Sequence, residues 1–365
     1  MKALIMAAGY GTRLEPLTLA VPKPMAPIIN KPSMLLNLEL LRRNGIREAA
    51  VNIHYHPEQI TNYFKDGEPF GVKLTYSFEE KLLGTAGGVL QMAKLIGGIK
   101  ETFVVLSSDA LTDINLRNMV SFHKKKKALV TIGLSLVEDP SQFGVVICDE
   151  NNKITAFIEK PGLKEAPSKL VNTGIYIFEP EILGMIPKDK FYDFGKELFP
   201  LLVSKGAQVF GYKMVEYWSD VGGIVPYLNA NLDAMDGRVR LFMPGKKEAA
   251  NFWIGKNCTI DKSAKFEGHV VIGDRVEIRE GAYLKDTVVG DRCVLSSNAI
   301  VEESVIWSDS YISTRAKIKK SIIGNWCHIG EEVTIGNNSV ISNRCQIRKR
   351  TVLAENTSLK PNEIL

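Results

Sequence analysis

The chain is poor in several features that would have decided its class early. No uninterrupted apolar stretch is long enough for a transmembrane helix, so no membrane partner is expected. The N-terminal run MKALIMAAG is short and breaks into a Gly-rich turn that carries charge, as a first buried strand does and a signal peptide does not. The 5 cysteines are scattered with no C-x-x-C pair, a pattern that predicts reduced thiols and a cytoplasmic protein. Histidines number only 5. His54 and His56 form an H-x-H expected on one strand face, but no third or fourth ligand lies nearby in sequence. Neither sign of charge dominates, with 46 Lys plus Arg against 41 Asp plus Glu and a net +5 over 365 residues. That balance is too mild and dispersed for a nucleic-acid partner, yet it suits small anionic substrates. Absent too are the P-loop pattern G-x-x-x-x-G-K-[ST] and the dinucleotide pattern G-x-G-x-x-G.

What is present divides near residue 245. Residues 1–235 alternate apolar β-branched runs with amphipathic stretches: KALIMAAG, the helical PSMLLNLELLRR, AAVNIH, the helical HPEQITNYFKDG, VKLTYSF, the helical GTAGGVLQMAKLIG, then TFVVLSS. The last is a continuous apolar run of the kind that fills the centre of a parallel sheet. GVVICDENNKITAFIEKP predicts two strands joined by turn residues Asp149 to Asn152. This grammar predicts an α/β domain with a mostly parallel sheet, whose ligands bind beyond the carboxyl ends of the strands. Residues 236–252 lack a period and are expected to be a linker. From Ile254 to Leu353 an apolar residue recurs about every six positions. The units starting at Leu284, Val301 and Ile318 have five residues, which gives a local coil of 17 residues instead of 18. Three short units per coil predict a triangular parallel β-helix over 253–365. Cys258, Cys293, Cys327 and Cys345 all occupy its small inward position and are expected to pack the core. The solenoid is expected to assemble the protein as a homo-oligomer through its flat flanks and to do no chemistry itself.

The strongest chemical signal is Ala7-Ala8-Gly9-Tyr10-Gly11-Thr12-Arg13-Leu14, followed by Pro22-Lys23-Pro24. A strand ends, glycines open the backbone to a ligand, and Thr, Arg and Lys follow in one loop. Backbone N–H groups and two cations suit a triphosphate. The set G-x-G-T-R-L-x-P-L-T with P-K-P resembles the signature of the sugar-1-phosphate nucleotidyltransferases, or nucleotide-sugar pyrophosphorylases. Leu83-Gly84-Thr85-Ala86-Gly87, Asp109, Phe143-Gly144-Val145-Val146, Glu159-Lys160-Pro161, Asn172-Thr173-Gly174 and Trp218-Ser219-Asp220-Val221-Gly222 follow in the family's order. Within the family the chain is most similar to mannose-1-phosphate guanylyltransferases, and next to a group of UDP-glucose pyrophosphorylases.

The resemblance implies a Rossmann-like nucleotidyltransferase domain over 1–235 and a left-handed β-helix. It implies transfer of a nucleotidyl group from a nucleoside triphosphate to a hexose 1-phosphate with Mg²⁺, which calls for charge neutralisation and in-line positioning. Arg13 and Lys23 are then expected to face the triphosphate, and Asp109 and Asp220 to hold Mg²⁺. Arg13, Lys23 and Asp109 form the catalytic set. Ala8, Gly9, Gly11, Thr12, Glu79, Gly84 and Thr85 are assigned to the nucleotide. Gly144, Glu159, Lys160 and Asn172 are assigned to the sugar phosphate. Glu79 lies where thymidylyl- and uridylyl-transferring relatives commonly carry a base-reading Gln. A carboxylate there offers acceptors to the N1–H and N2–H₂ donors of guanine, which favours GTP with mannose 1-phosphate over UTP or dTTP with glucose 1-phosphate. Two departures stand out: Ser107-Ser108 precedes Asp109 where the family often has Gly-Asp or Asn-Ser-Asp, and Gly223 stands where it usually has Thr before a proline. Rival readings are a non-catalytic paralogue that only binds nucleotide sugar, and a second, acyl-transferring site using His269 or His328. All four key residues of the signature are present, and the solenoid lacks the long inserted loop that acyltransferases commonly carry.

Overall fold

In the computed structural model, which describes residues 1–162 and 165–365, the chain packs as two compact units. One comprises Met1–Gly9 and Met34–Asp220, the other Tyr10–Ser33 and Val221–Leu365.

The first unit is built on a nine-stranded sheet. Strands Phe103–Ser107, Ala3–Met6, Glu48–Ile53 and Lys73–Phe78 lie side by side and parallel. Val104, Val105 and Leu4 are fully buried there, as a strand covered on both faces requires. The other half of the sheet turns antiparallel. Gly144–Cys148 and Ile154–Glu159 form the expected hairpin, its turn held by Asp149, whose Oδ1 accepts from the Asn151 and Lys153 amides at 2.9 and 2.8 Å. A hairpin this short can only reverse the chain, although Val209–Lys213 still pairs parallel to Val130–Leu136 in this half. Leu170–Phe178 bridges the two halves, antiparallel to Phe103–Ser107 on one edge and to Val130–Leu136 on the other. Helices Ser33–Arg43, Pro57–Phe64 and Gly84–Leu95 form where the periodicity places them, and Leu116–Lys126 forms a further helix after strand Phe103–Ser107. Tyr176, Phe178, Phe194 and Phe199 stack into one aromatic cluster at the centre of the core. The H-x-H does not share a strand face: the strand stops at Ile53, His54 donates to the Glu79 carbonyl (2.7 Å), and His56 sits at φ 46 just ahead of the helix Pro57–Phe64.

In the second unit the hexapeptide grammar becomes three columns of parallel strands. One column runs from Thr259–Ile260 to Gln346–Ile347, a second from Lys265 to Leu353, and a third from Phe252–Ile254 to Ser358–Leu359. Coil length follows the five-residue units. Ile272 pairs with Val289, Val289 with Ile306 and Ile306 with Ile323, each 17 residues on, before Ile323 pairs with Ile341 at 18. Corners turn on left-handed residues such as Asn298, Arg315, Glu332 and Arg350. Cys293, Cys327 and Cys345 are buried, and their thiols donate to carbonyls of the following coil, those of Trp307, Ser342 and Lys360. All five cysteines are free thiols. The apolar series runs one unit further than Leu353, since Leu359 is buried and pairs with Ile341. The segment expected to be a linker carries a strand, Lys246–Ala249, antiparallel to Phe252–Ile254 at the open end of the solenoid. It is exposed along its length and so shows no apolar period.

Candidate active site

In the first unit the sheet presents its chemistry at the carboxyl ends of the parallel strands. The end of strand Ala3–Met6 is fixed by a buried chain of bonds. The Ala7 amide donates to Asn52 Oδ1 (2.7 Å), and Asn52 Nδ2 donates to Glu79 Oε1 (2.7 Å). Glu79 Oε2 accepts from the Leu83 amide (2.9 Å). Ala7, Ala8 and the entry to the Gly84 turn are thereby tied together through Glu79. The picture of a Glu79 carboxylate open to a base is corrected by these contacts. Both oxygens are engaged within the chain and the residue is only 2% exposed. Its ionic form suits the task, because it accepts from two N–H donors at once. Asn52, which completes this link, was missed; a lone amide inside the apolar run AAVNI is the signal that marks it.

The Gly84 turn is anchored on its other side. Gly84 has φ +76, and a Cβ there would fall 2.5 Å from the Tyr192 carbonyl. The same carbonyl accepts from the Ala86 and Gly87 amides at 3.0 and 3.1 Å. Thr85 Oγ1 donates to Asp193 Oδ2 (2.8 Å) and accepts from the Phe194 amide (2.8 Å). Asp193 in turn accepts from the Gly195 and Lys196 amides. The segment 192–196 was not singled out from the sequence, and it supports both halves of this face.

Asp109 lies two residues beyond strand Phe103–Ser107 and accepts from Ser107 Oγ. The Ser108 amide donates to the Met6 carbonyl (3.0 Å), and Asn37 Nδ2 donates to the Ser108 carbonyl (3.1 Å). Ser107-Ser108 therefore fixes Asp109 with local bonds where the family uses other residues. Asp220 belongs not to the parallel sheet but to a short antiparallel ribbon, Trp218–Asp220 with Ala110–Thr112, in which it faces Ala110. Its strand places it next to the position that Asp109 precedes. Asp220 does not cap the following helix Ile224–Met235, whose N-cap is Gly223. Trp218 docks the ribbon by donating Nε1–H to the Thr173 carbonyl (3.0 Å) and meeting Phe143 edge-on at 5.6 Å.

Glu159 pairs across the hairpin with Gly144. Its Oε2 would lie 2.9 Å from a Cβ on Gly144 and 2.3 Å from one on Gly195. Two missing side chains thus make room for one half-buried carboxylate. Burial, then the neighbouring Asp193 charge, push its pKa above the usual carboxylate value, and Lys160 and Lys196 pull it back. Lys160 follows in a left-handed conformation, φ 47, with its amide donating to the Phe143 carbonyl (3.0 Å). Asn172 holds a break in the strand pairing: Oδ1 accepts from Gly174 and Nδ2 donates to Tyr176 Oη, each at 3.0 Å.

In the second unit, the loop Tyr10–Ser33 carries the two expected cations. Thr12–Leu14 and Lys23–Met25 each form one 3₁₀ turn. Gly11, at φ +71, lies against Lys23, whose Cβ would be 2.9 Å from a Gly11 Cβ. The Gly11 carbonyl accepts from Thr18 Oγ1 (3.0 Å). Gly9, Thr12 and Arg13 are exposed while Lys23 is buried. Among the described residues no group of three or more His, Cys, Asp or Glu gathers as a metal site. A pair of carboxylates fits Mg²⁺, which keeps water and substrate phosphates among its ligands. His269 bonds to Asp236 (3.0 Å) and His328 stacks on Tyr311 at 5.2 Å.

Comparison with known proteins agrees with this arrangement. Residues 2–237 match the nucleotidyl transferase family and residues 249–353 match the EIF2B subunit epsilon LbH domain. A UTP--glucose-1-phosphate uridylyltransferase of Synechocystis sp. is 40% identical over 294 residues, covering 77% of this chain and 76% of its own. Mannose-1-phosphate guanylyltransferase 1 of Arabidopsis thaliana is 34% identical over 288 residues, covering 78% of each. A solved UDP-glucose pyrophosphorylase in complex with UDP-glucose aligns with a TM-score of 0.56 at 25% identity, over 64% of this chain and 98% of that one. The chain belongs to the nucleotidyl transferase family, and it is a nucleotidyltransferase that carries a C-terminal left-handed β-helix.

Proposed function

We propose that the protein joins GTP and mannose 1-phosphate to give GDP-mannose and pyrophosphate. A phosphate oxygen of the sugar phosphate attacks the α-phosphorus, and the bond to the β-phosphate bridging oxygen breaks as pyrophosphate leaves. Two anions must meet, so the chain's main task is to neutralise and align them. Arg13 and Lys23 face the triphosphate and the departing pyrophosphate. Ala8, Gly9, Gly11 and Thr12 offer backbone to the phosphates. Gly84 and Thr85 shape the nucleotide turn, with Glu79 acting on it through Leu83. Glu159 accepts from sugar hydroxyls, with Gly144 and Asn172 beside it, and Lys160 pairs with the sugar phosphate. Asp109 and Asp220 would hold Mg²⁺, which when bound adds positive charge against the triphosphate. The observation that carries this reading is the ribbon that sets Asp220 opposite Ala110, next to Asp109.

The guanylyltransferase relatives support GTP with mannose 1-phosphate. The uridylyltransferase relative supports a second reading, UTP with glucose 1-phosphate. Pyrophosphate release over a matrix of five nucleoside triphosphates and several sugar 1-phosphates decides between them. We expect the GTP and mannose 1-phosphate pair to give the highest kcat/KM; a lead for UTP with glucose 1-phosphate would move the assignment to the second reading. The protein works in the cytoplasm as a homo-oligomer joined through its solenoid, and a monomer by light scattering at micromolar concentration would contradict that assembly.

A further inference from the structure

The loop Tyr10–Ser33 is bonded to the solenoid itself. Ser342, fully buried in the Ile341 coil, donates its hydroxyl to the Pro16 carbonyl (2.9 Å), three residues after Arg13. Asn30 Nδ2 donates to the Val289 carbonyl (2.8 Å). Trp307, buried at the Ile306 coil, donates its indole N–H to Tyr227 Oη (2.8 Å), and Tyr227 donates onward to the Pro27 carbonyl. Asn231, on the same helix as Tyr227, accepts from the Ile29 amide (2.9 Å). The loop is therefore held at both ends, by one serine near Arg13 and by a Trp–Tyr relay just beyond Lys23. The Ser342–Pro16 and Asn231–Ile29 bonds are buried, so losing the side-chain partner leaves a buried backbone group unpaired.

We propose that the solenoid sets the position of the catalytic loop, with Ser342 and Trp307 as positioning residues for Arg13 and Lys23. The inference rests on the reading of those two cations as the groups that meet the triphosphate. A loop that shifts by a fraction of an ångström still binds anions, but it loses alignment in the transition state. The expected signature is thus a fall in kcat that exceeds any rise in KM for the nucleotide.

The test compares full-length Ser342→Ala, Trp307→Phe and Ser339→Ala with wild type and Arg13→Ala. Ser339 is the control, because its buried hydroxyl donates only within the solenoid, to the Gly336 and Ala354 carbonyls. We expect Ser342→Ala and Trp307→Phe to lose about ten-fold in kcat. Ser339→Ala should keep wild-type kcat at a similar loss of Tm. Wild-type kcat in Ser342→Ala and Trp307→Phe, with Arg13→Ala inactive, would overturn the inference and leave the reading of the loop intact. Loss of kcat in all three solenoid variants in step with Tm would also overturn it. Full turnover in Arg13→Ala would remove the reading of the loop and the inference with it. Should Ser342→Ala not fold, Trp307→Phe, which removes the indole N–H and leaves a smaller aromatic ring in its place, carries the same comparison with its kcat set against its own loss of Tm.

Discussion

Asp193 links the Thr85 turn and Glu159, the two parts of the first unit that we assign to the nucleotide and the sugar phosphate. Its carboxylate caps the turn at Gly195 and Lys196, accepts a hydrogen bond from the Thr85 hydroxyl, and adds to the effect of burial in raising the pKa of Glu159. A raised pKa means that Glu159 protonates at a higher pH than an ordinary carboxyl as the solution is acidified. If its ionised form accepts from sugar hydroxyls, kcat/KM for the sugar phosphate falls on the acid side at that raised pKa. Asp193→Asn keeps an Oδ1 acceptor for the cap and removes the like charge, so the acid limb should move to lower pH. A pH profile with an unmoved limb would contradict the role given to Glu159. Glu79 calls for a different expectation. Glu79→Gln puts an amide N–H₂ against either Asn52 Nδ2 or the Leu83 amide, two donors facing each other. We expect a lower Tm and a raised nucleotide KM for every base, with the GTP/UTP ratio of kcat/KM changed by less than about ten-fold. A selective collapse of the GTP preference would return Glu79 to direct base reading. The sequence showed Glu79 as a carboxylate near a Gly-rich turn; its two N–H partners, 27 and 4 residues away, had no pattern that names them.

Elements differed in how far their sequence announced them. The solenoid was readable because each unit repeats a local rule, and its five-residue units even foretold where the coil shortens to 17. Of the four parallel strands, Phe103–Ser107 was readable from its continuous apolar run and the other three from short runs rich in apolar and β-branched residues between helical stretches. The ribbon that brings Asp220 to Ala110 was not, because three residues carry no period and the partner strand lies more than a hundred positions away. The strand Lys246–Ala249 was hidden for the opposite reason, since every residue in it is exposed. The hairpin Gly144–Glu159 was visible, but the space it leaves for Glu159 was not, because Gly195 comes from another element. Gly195→Ala puts a methyl 2.3 Å from Glu159 Oε2. Overpacking of this kind costs about 1–3 kcal/mol if absorbed by the backbone. Displacement of the carboxylate instead should raise KM for the sugar phosphate by roughly ten-fold, as a loss of about 1.4 kcal/mol of binding does. Nucleotide KM should stay close to wild type, and equal rises for both substrates in steady-state assays would contradict the assignment.

At the scale of the whole molecule, chain order and packing part company. The sequence divides cleanly near residue 245, and the solenoid's parallel strands open at Phe252. Yet Tyr10–Ser33 packs in one unit with the solenoid, through solenoid partners 259 and 326 residues away. Composition and period describe neighbours along the chain, so a loop whose partners are so remote reads as part of the domain that surrounds it in sequence. In the other unit a short ribbon pairs Asp220 with Ala110, beside Asp109, and we propose that the two carboxylates hold one cation. The most direct measurement is pyrophosphate release by Asp109→Ala and Asp220→Ala as Mg²⁺ is raised to saturation. Loss of one such electrostatic contact in the transition state costs roughly 3–4 kcal/mol. We expect each variant, folded by circular dichroism, to lose on the order of 100- to 1,000-fold in kcat even at saturating Mg²⁺. Near-normal turnover in either variant would contradict it.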